Sequence, residues 1–133
     1  MRSSIPLTWR RIPERYRIIG TKCTTCSTKY FPTRIVCPKC RRKGKIEKIE
    51  FKGKGKIYSF TEISSAPPGF EEQAPYVLAI IELDDGPHLT AQVVDVRGSE
   101  LKIGDSVEAV FRAIQRDDPE GLIHYGFKFK KAR

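Results

Sequence analysis

Apolar and polar positions alternate along much of the C-terminal two thirds of the chain, as they do in strands that bury one face. Turn-forming residues divide this part into five stretches, which are residues 51–63, 75–83, 87–96, 106–115 and 122–129. The stretch 75–83 is almost continuously apolar, which predicts a buried central strand. Gly53 and Gly55 predict a bulge or sharp bend in the first strand. Five such strands joined by turns predict a five-stranded OB-type barrel.

The N-terminal part has a different pattern. Residues 5–13 predict one or two helical turns, which Thr8 caps and Pro13 ends. Residues 16–21 and 46–51 predict short strands on either side of a cysteine-rich segment. The predicted fold is therefore mainly β, with a helical arm at residues 1–15, a metal ribbon at residues 16–50 and the barrel at residues 51–133.

The four cysteines form two pairs, Cys23-x-x-Cys26 and Cys37-x-x-Cys40. A Cys-x-x-Cys turn brings two sulfurs close enough to share one ion, so the two turns predict a rubredoxin-like ribbon with one tetrahedral zinc site. Four cysteine ligands leave no open position, which makes the predicted metal structural. Iron is an alternative ion. The same cysteines could instead form two disulfides or a redox dithiol, but the N-terminus lacks the apolar segment of a secretory signal that disulfides would require.

Positive charge is concentrated in the first half of the 133-residue chain, whose net charge is +9. Residues 1–56 carry +14, whereas residues 57–133 carry −5. A cationic half suits nucleic acid, a phosphorylated small molecule such as coenzyme A, an acidic protein face, or simply solvent. No apolar run approaches the roughly 20 residues of a membrane span, so we expect a cytoplasmic protein.

Residues that would indicate catalysis are few. His88 and His124 lie in predicted strands without a nucleophile or acid at a motif-like spacing. The acidic pairs at residues 84–85 and 117–118 lie in glycine-containing turns, and turn geometry explains them. The sequence therefore predicts a binding protein rather than an enzyme.

Several segments, taken in order, resemble the acyl-CoA-associated family of OB-fold proteins that carry a rubredoxin-like zinc ribbon. They are residues 17–26, 30–34 and 37–40 in the ribbon, and residues 53–61, 74–77, 101–107 and 125–129 in the barrel. Ser27 departs from the pattern, because the family often has glycine after the first cysteine pair.

The resemblance implies a non-catalytic partner of thiolase-fold enzymes. Archaeal members resemble a third component beside acetoacetyl-CoA thiolase and hydroxymethylglutaryl-CoA (HMG-CoA) synthase, at the start of the mevalonate pathway to isoprenoids. Such a component would bridge the two enzymes and help to bind the coenzyme A of their shared intermediate. Direct transfer of acetoacetyl-CoA to the irreversible synthase step would draw the unfavourable thiolase step forward.

Coenzyme A carries phosphates and an adenine, so its binding residues should be basic and aromatic. The candidate phosphate contacts are Arg34, Arg41, Arg42 and Lys43, and Tyr30 or Phe31 is the candidate for stacking on adenine. A zinc ribbon joined to an OB barrel on a basic chain is also typical of proteins that bind single-stranded nucleic acid. That function is less favoured, because the barrel half is net negative.

Overall fold

The computed structural model describes residues 4–117 and 120–132. Two short helices come first, α1 (Ile5–Arg10) and α2 (Ile12–Tyr16). Eight strands follow within these residues: β1 (Ile19–Cys23), β2 (Lys29–Tyr30), β3 (Ile46–Glu50), β4 (Lys54–Ile63), β5 (Tyr76–Leu83), β6 (His88–Val94), β7 (Ser106–Arg116) and β8 (Ile123–Lys131). Single 3₁₀ turns at Glu71–Gln73 and Gly98–Glu100 lie in two of the connections. No described helix has the length and apolar character that crossing a membrane requires.

The helical arm differs from its prediction in three details. Ser4 caps α1, because its side chain accepts a hydrogen bond from the Leu7 amide at 3.3 Å, and Thr8 instead donates to the Ser4 carbonyl. Pro13 does not end the helical region but lies in the first turn of α2, where a missing N–H is tolerated. Tyr16 belongs to α2, so the strand predicted from residue 16 begins only at Ile19.

The ribbon is a three-stranded antiparallel sheet in the order β2-β1-β3. Cys23 ends β1, and Cys26 lies in the turn that leads to β2. Cys37 and Cys40 lie in the long connection between β2 and β3. The sheet therefore supports both cysteine turns at one end.

The five remaining strands close into a barrel in the order β4-β5-β6-β8-β7, with β4 and β7 completing the ring. All neighbours are antiparallel except β6 and β8, which run parallel over a short contact at Val93↔Phe129 and Val94↔Lys130. The predicted five-stranded OB-type barrel is confirmed. The turn predicted at residues 117–121 includes positions 118 and 119, which lie outside the described residues.

Interior positions of the barrel follow the period of two that strands require. In β5 the buried residues are Val77, Ala79, Ile81 and Leu83, whereas Ile80 on the other face is 38% exposed. β5 lies between β4 and β6, as predicted for a central strand, and it buries its inner face.

The bulge in β4 does not lie at Gly53 and Gly55, where it was predicted. The register shift lies between Ile57 and Ser59. Gly53 has a φ of +77°, which glycine adopts without strain. A Cβ at Gly55 would lie 2.5 Å from the carbonyl oxygen of Glu82, so Gly55 permits close approach of β4 to β5.

Ribbon and barrel share one apolar core. Ile18 and Phe51 are 4% and 5% exposed and belong to the same cluster as Ile81 and Phe129 of the barrel. Phe31 packs against this cluster from the ribbon. Lys29 of β2 also lies 3.7 Å from Asp85 in the β5–β6 turn.

Candidate metal centre and binding surfaces

The four cysteines meet in one cluster. Their Sγ atoms all lie within 4.8 Å of one another, and those of Cys26 and Cys37 are 3.6 Å apart. Four sulfurs at about 2.3 Å from one tetrahedral ion would be roughly 3.8 Å apart, so the cluster fits a single zinc or iron ion. Cys23 and Cys37 are fully buried, as expected for a structural site.

The backbone at each cysteine turn is shaped to bring the sulfurs together. Ser27 and Arg41, which follow the second cysteine of each pair, have φ values of 60° and 52°. This left-handed conformation favours glycine, so both side chains are held in a backbone geometry that L residues rarely adopt. Gly44 packs onto the cluster, and a Cβ there would lie 3.2 Å from Sγ of Cys23.

Hydrogen bonds distribute charge unevenly within the cluster. The hydroxyl of Tyr30 donates to Sγ of Cys37 at 3.4 Å, and this contact is the largest cause that lowers the pKa of Cys37 to about 6. The same contact raises the pKa of Tyr30 to about 12. The neighbouring thiol of Cys26 is the largest cause that raises the pKa of Cys40 to about 12. One thiolate is thus favoured before any ion binds, and a bound cation would favour the remaining three.

Five of the six candidate coenzyme A residues lie on or beside the ribbon surface. Arg41, Arg42 and Lys43 are exposed and form no ion pair with a described carboxylate. Arg34 is exposed too, and its guanidinium lies 5.1 Å from the centre of the Tyr30 ring. We call Arg41, Arg42 and Lys43 the basic loop.

Phe31 has a different environment. Its ring makes edge-to-face contacts with Phe51 at 6.4 Å and with Phe127 at 6.1 Å, at the junction of ribbon and barrel. A cis peptide bond joins Phe31 to Pro32. The structure therefore places Phe31 against the shared core, and Tyr30 rather than Phe31 lies beside Arg34.

A cleft in which residues of the ribbon and the barrel meet was not predicted from the sequence. Its volume is about 620 Å³, and Phe31, Phe70, Leu78, Gln92, Phe127 and Lys128 are among its lining residues. Lys128 is only 5% exposed although it stands between two aromatic residues in an alternating strand. Its Nζ donates to Oε1 of Gln73, in the connection between β4 and β5, and no sequence signal indicated this contact.

The two histidines lie in unlike environments. His124 is 6% exposed, and its Nε2 lies 3.0 Å from a carboxylate oxygen of Asp117. His88 is exposed, 3.9 Å from Glu82. His124 therefore has an acidic partner that sequence spacing did not reveal, seven residues away across the β7–β8 turn.

Apolar side chains are exposed at two places in the N-terminal half. Ile5 and Trp9 of α1 are 73% and 74% exposed. Ile35 and Val36, between the two cysteine turns, are 94% and 58% exposed. Contiguous exposed apolar patches mark surfaces that contact other proteins, which makes these two pairs candidates for such contacts.

Comparisons with known protein families match both halves of the chain. Residues 10–46 match the rubredoxin-like zinc ribbon domain of ChsH2, and residues 48–112 match the C-terminal OB-fold domain of ChsH2. These matches agree with the cysteine cluster and the barrel described above.

Comparisons with individual proteins cover nearly the whole chain. A "DUF35 domain-containing scaffold protein" of Methanocaldococcus jannaschii is 53% identical over 92% of this chain and 86% of its own length. A protein of the same name from Methanothermobacter thermautotrophicus is 50% identical over 92% of both chains. Among solved structures, a chain of the "Ltp2-ChsH2(DUF35) aldolase" matches with a TM-score of 0.72 and 26% identity, over 100% of this chain and 98% of the other.

The order of ribbon and barrel, the cysteine cluster and these identities agree with one another, and the chain belongs to the family of DUF35-domain proteins, in which a zinc ribbon precedes an OB fold.

Proposed function

We propose that this protein is a non-catalytic, cytoplasmic scaffold subunit that bridges acetoacetyl-CoA thiolase and HMG-CoA synthase in the mevalonate pathway. The observation that carries the proposal is the near full-length identity of 53% and 50% to relatives named as scaffold proteins. The similarity to a chain of a DUF35-containing aldolase supports association with an enzyme.

Two exposed features support a bridging role. The apolar pair Ile5 and Trp9 lies on the helical arm, whereas Ile35 and Val36 lie between the cysteine turns. Burying such side chains against a partner contributes about 25 cal/mol per Å² of apolar surface. Two separate apolar surfaces suit a subunit that contacts two enzymes.

We also propose that the ribbon contributes to coenzyme A binding. Arg41, Arg42 and Lys43 are exposed cations without a carboxylate partner among the described residues, so they are free to contact phosphate oxygens. The guanidinium of Arg34 lies 5.1 Å from the centre of the Tyr30 ring, which brings a cation and an aromatic ring together. The engaged ring of Phe31 makes Tyr30 the better candidate to contact adenine.

A tagged copy of the chain, purified gently from its native host with nuclease present, tests the scaffold role. We expect both enzymes to co-purify in stoichiometric amounts and to remain bound at moderate salt. Recovery of RNA or DNA without the enzymes, with affinity that falls steeply as salt rises, would instead establish a nucleic-acid-binding function.

The coenzyme A assignment has its own test in the assembled complex. Replacing Arg41, Arg42 and Lys43 with glutamine should weaken coenzyme A binding by about tenfold or more, because charged hydrogen bonds to phosphate are lost. A control variant with glutamine at Lys48, Lys52 and Lys56 removes the same charge elsewhere. Equal affinities for the two variants would show that the basic loop makes no specific contact.

A further inference from the structure

The cleft lies where two barrel strands diverge. β6 and β8 pair only at Val93↔Phe129 and Val94↔Lys130, although β6 begins at His88 and β8 at Ile123. Gln92 of β6 and Lys128 of β8, on the diverging side of this contact, both line the cleft. Its volume of about 620 Å³ is within the usual range of small-molecule sites, which is about 300–1,000 Å³.

Lys128 is a buried cation that has no counter-ion among the described residues. Its Nζ donates to Oε1 of Gln73 at 2.9 Å, and Nε2 of Gln73 donates to the carbonyl of Ile114 at 2.6 Å, which fixes the orientation of the amide. The ammonium has three donors, and this neutral amide is the one acceptor that it contacts among the described residues. No described carboxylate forms an ion pair with it.

The electrostatic surroundings of Lys128 favour an added negative charge. Burial, and then the positive charge of Arg112, lower the pKa of Lys128 below its ordinary value. Arg11 and Arg15 also line the cleft, together with the single carboxylate of Glu14. An anion beside the ammonium would offset the cost of burying an unpaired charge.

The rest of the cleft is largely apolar. Phe31, Leu78 and Phe127 line it, and the rings of Phe70 and Tyr76, which also line it, lie 6.0 Å apart. Such walls favour a ligand with a hydrocarbon body over a fully hydrated ion such as phosphate.

We propose that this cleft binds a small amphipathic carboxylate, whose carboxylate contacts the ammonium of Lys128 and whose apolar body lies along the aromatic walls. The site is formed by this chain alone and does not depend on the scaffold role or on the basic loop. Gln73, in the connection between β4 and β5, positions the ammonium by accepting its hydrogen bond.

Titration of the isolated, metal-loaded full chain by NMR tests the proposal, with hexanoate, its neutral analogue hexanamide and inorganic phosphate as probes. We expect hexanoate to shift the signals of cleft residues. It should bind about tenfold more tightly than hexanamide, because only hexanoate can form a hydrogen bond between two charged groups with Lys128. Phosphate should bind more weakly than hexanoate. Equal affinity for hexanoate and hexanamide, or no binding of either, would overturn the proposal, as would tighter binding of phosphate.

Matched variants locate the contact. Lys128→Met should remove the preference for hexanoate over hexanamide, whereas Lys130→Met, which removes an ion-paired lysine two residues away, should retain it. Gln73→Glu places a carboxylate beside Lys128 and should also remove the preference, which keeps the test decisive if Lys128→Met fails to fold. A preference that persists in Gln73→Glu, or that Lys130→Met removes equally, would refute the role of Lys128.

Discussion

Replacing Phe31 with alanine should destabilise the ribbon and the barrel together. Phe31 is half-buried and makes edge-to-face contacts with Phe51 of the ribbon–barrel junction and with Phe127 of β8. A fully buried Phe→Ala change costs about 3–5 kcal/mol, so half burial corresponds to about 2 kcal/mol. The two aromatic contacts add about 1 kcal/mol. We therefore expect the free energy of unfolding to fall by about 3 kcal/mol.

Urea denaturation of the metal-loaded protein measures this change, with circular dichroism following the barrel and a chromogenic chelator following metal release. At a slope of about 1.5 kcal/mol per molar urea, both midpoints should fall by about 2 M. Tyr58→Ala is the control, because this ring is 56% exposed and should cost about 0.5 kcal/mol. A loss below about 1 kcal/mol for Phe31→Ala, or a shift in only one midpoint, would refute a core shared by the two parts.

Three further changes test other parts of the structure. Removing the metal with a strong chelator should unfold the ribbon, and one equivalent of Co²⁺ should restore it with the absorption bands of tetrahedral thiolate ligation, which Cys37→Ser should weaken. Gly55→Ala should cost about 2 kcal/mol in urea denaturation, because its Cβ would lie 2.5 Å from a carbonyl oxygen of β5. Asp105→Asn should lower the melting temperature at pH 7, and the loss should shrink as the pH falls below the unfolded pKa of the carboxyl. Hydrogen bonding from the Lys102 amide lowers the pKa of Asp105, so its contribution is present above the unfolded pKa of about 3.9 and is lost as the pH falls through the folded value.

The features that could be predicted from the sequence are those that depend on local order. The Cys-x-x-Cys spacing alone indicated a shared metal site, because each short turn brings its own two sulfurs together without help from distant residues. The alternation along residues 106–115 and 122–129 likewise indicated the β7–β8 hairpin, since a strand covers alternate positions whatever its neighbours are.

The features that could not be predicted are those that tertiary contacts decide. The apolar run in β5 indicated a buried strand but not which positions face inward, and Ile80 is 38% exposed because alternate residues of a strand face opposite sides. The hydrogen bond between Lys128 and Gln73, 55 residues apart, could not be predicted from the local pattern of β8. The packing of Phe31 against Phe51 also depends on tertiary contacts, and the predicted contact of Tyr30 or Phe31 with adenine stays a prediction. The boundaries predicted at residues 15/16 and 50/51 stay predictions.

The most direct test of the scaffold proposal is to measure the mass of the assembly formed by acetoacetyl-CoA thiolase and HMG-CoA synthase from the same organism, with and without this chain. Analytical ultracentrifugation of the three purified proteins supplies that measurement. We predict that the two enzymes sediment as one complex only when this chain is present, and that the complex contains it in a fixed ratio. Separate sedimentation of the two enzymes in its presence, or a complex that forms equally well in its absence, would contradict the proposal.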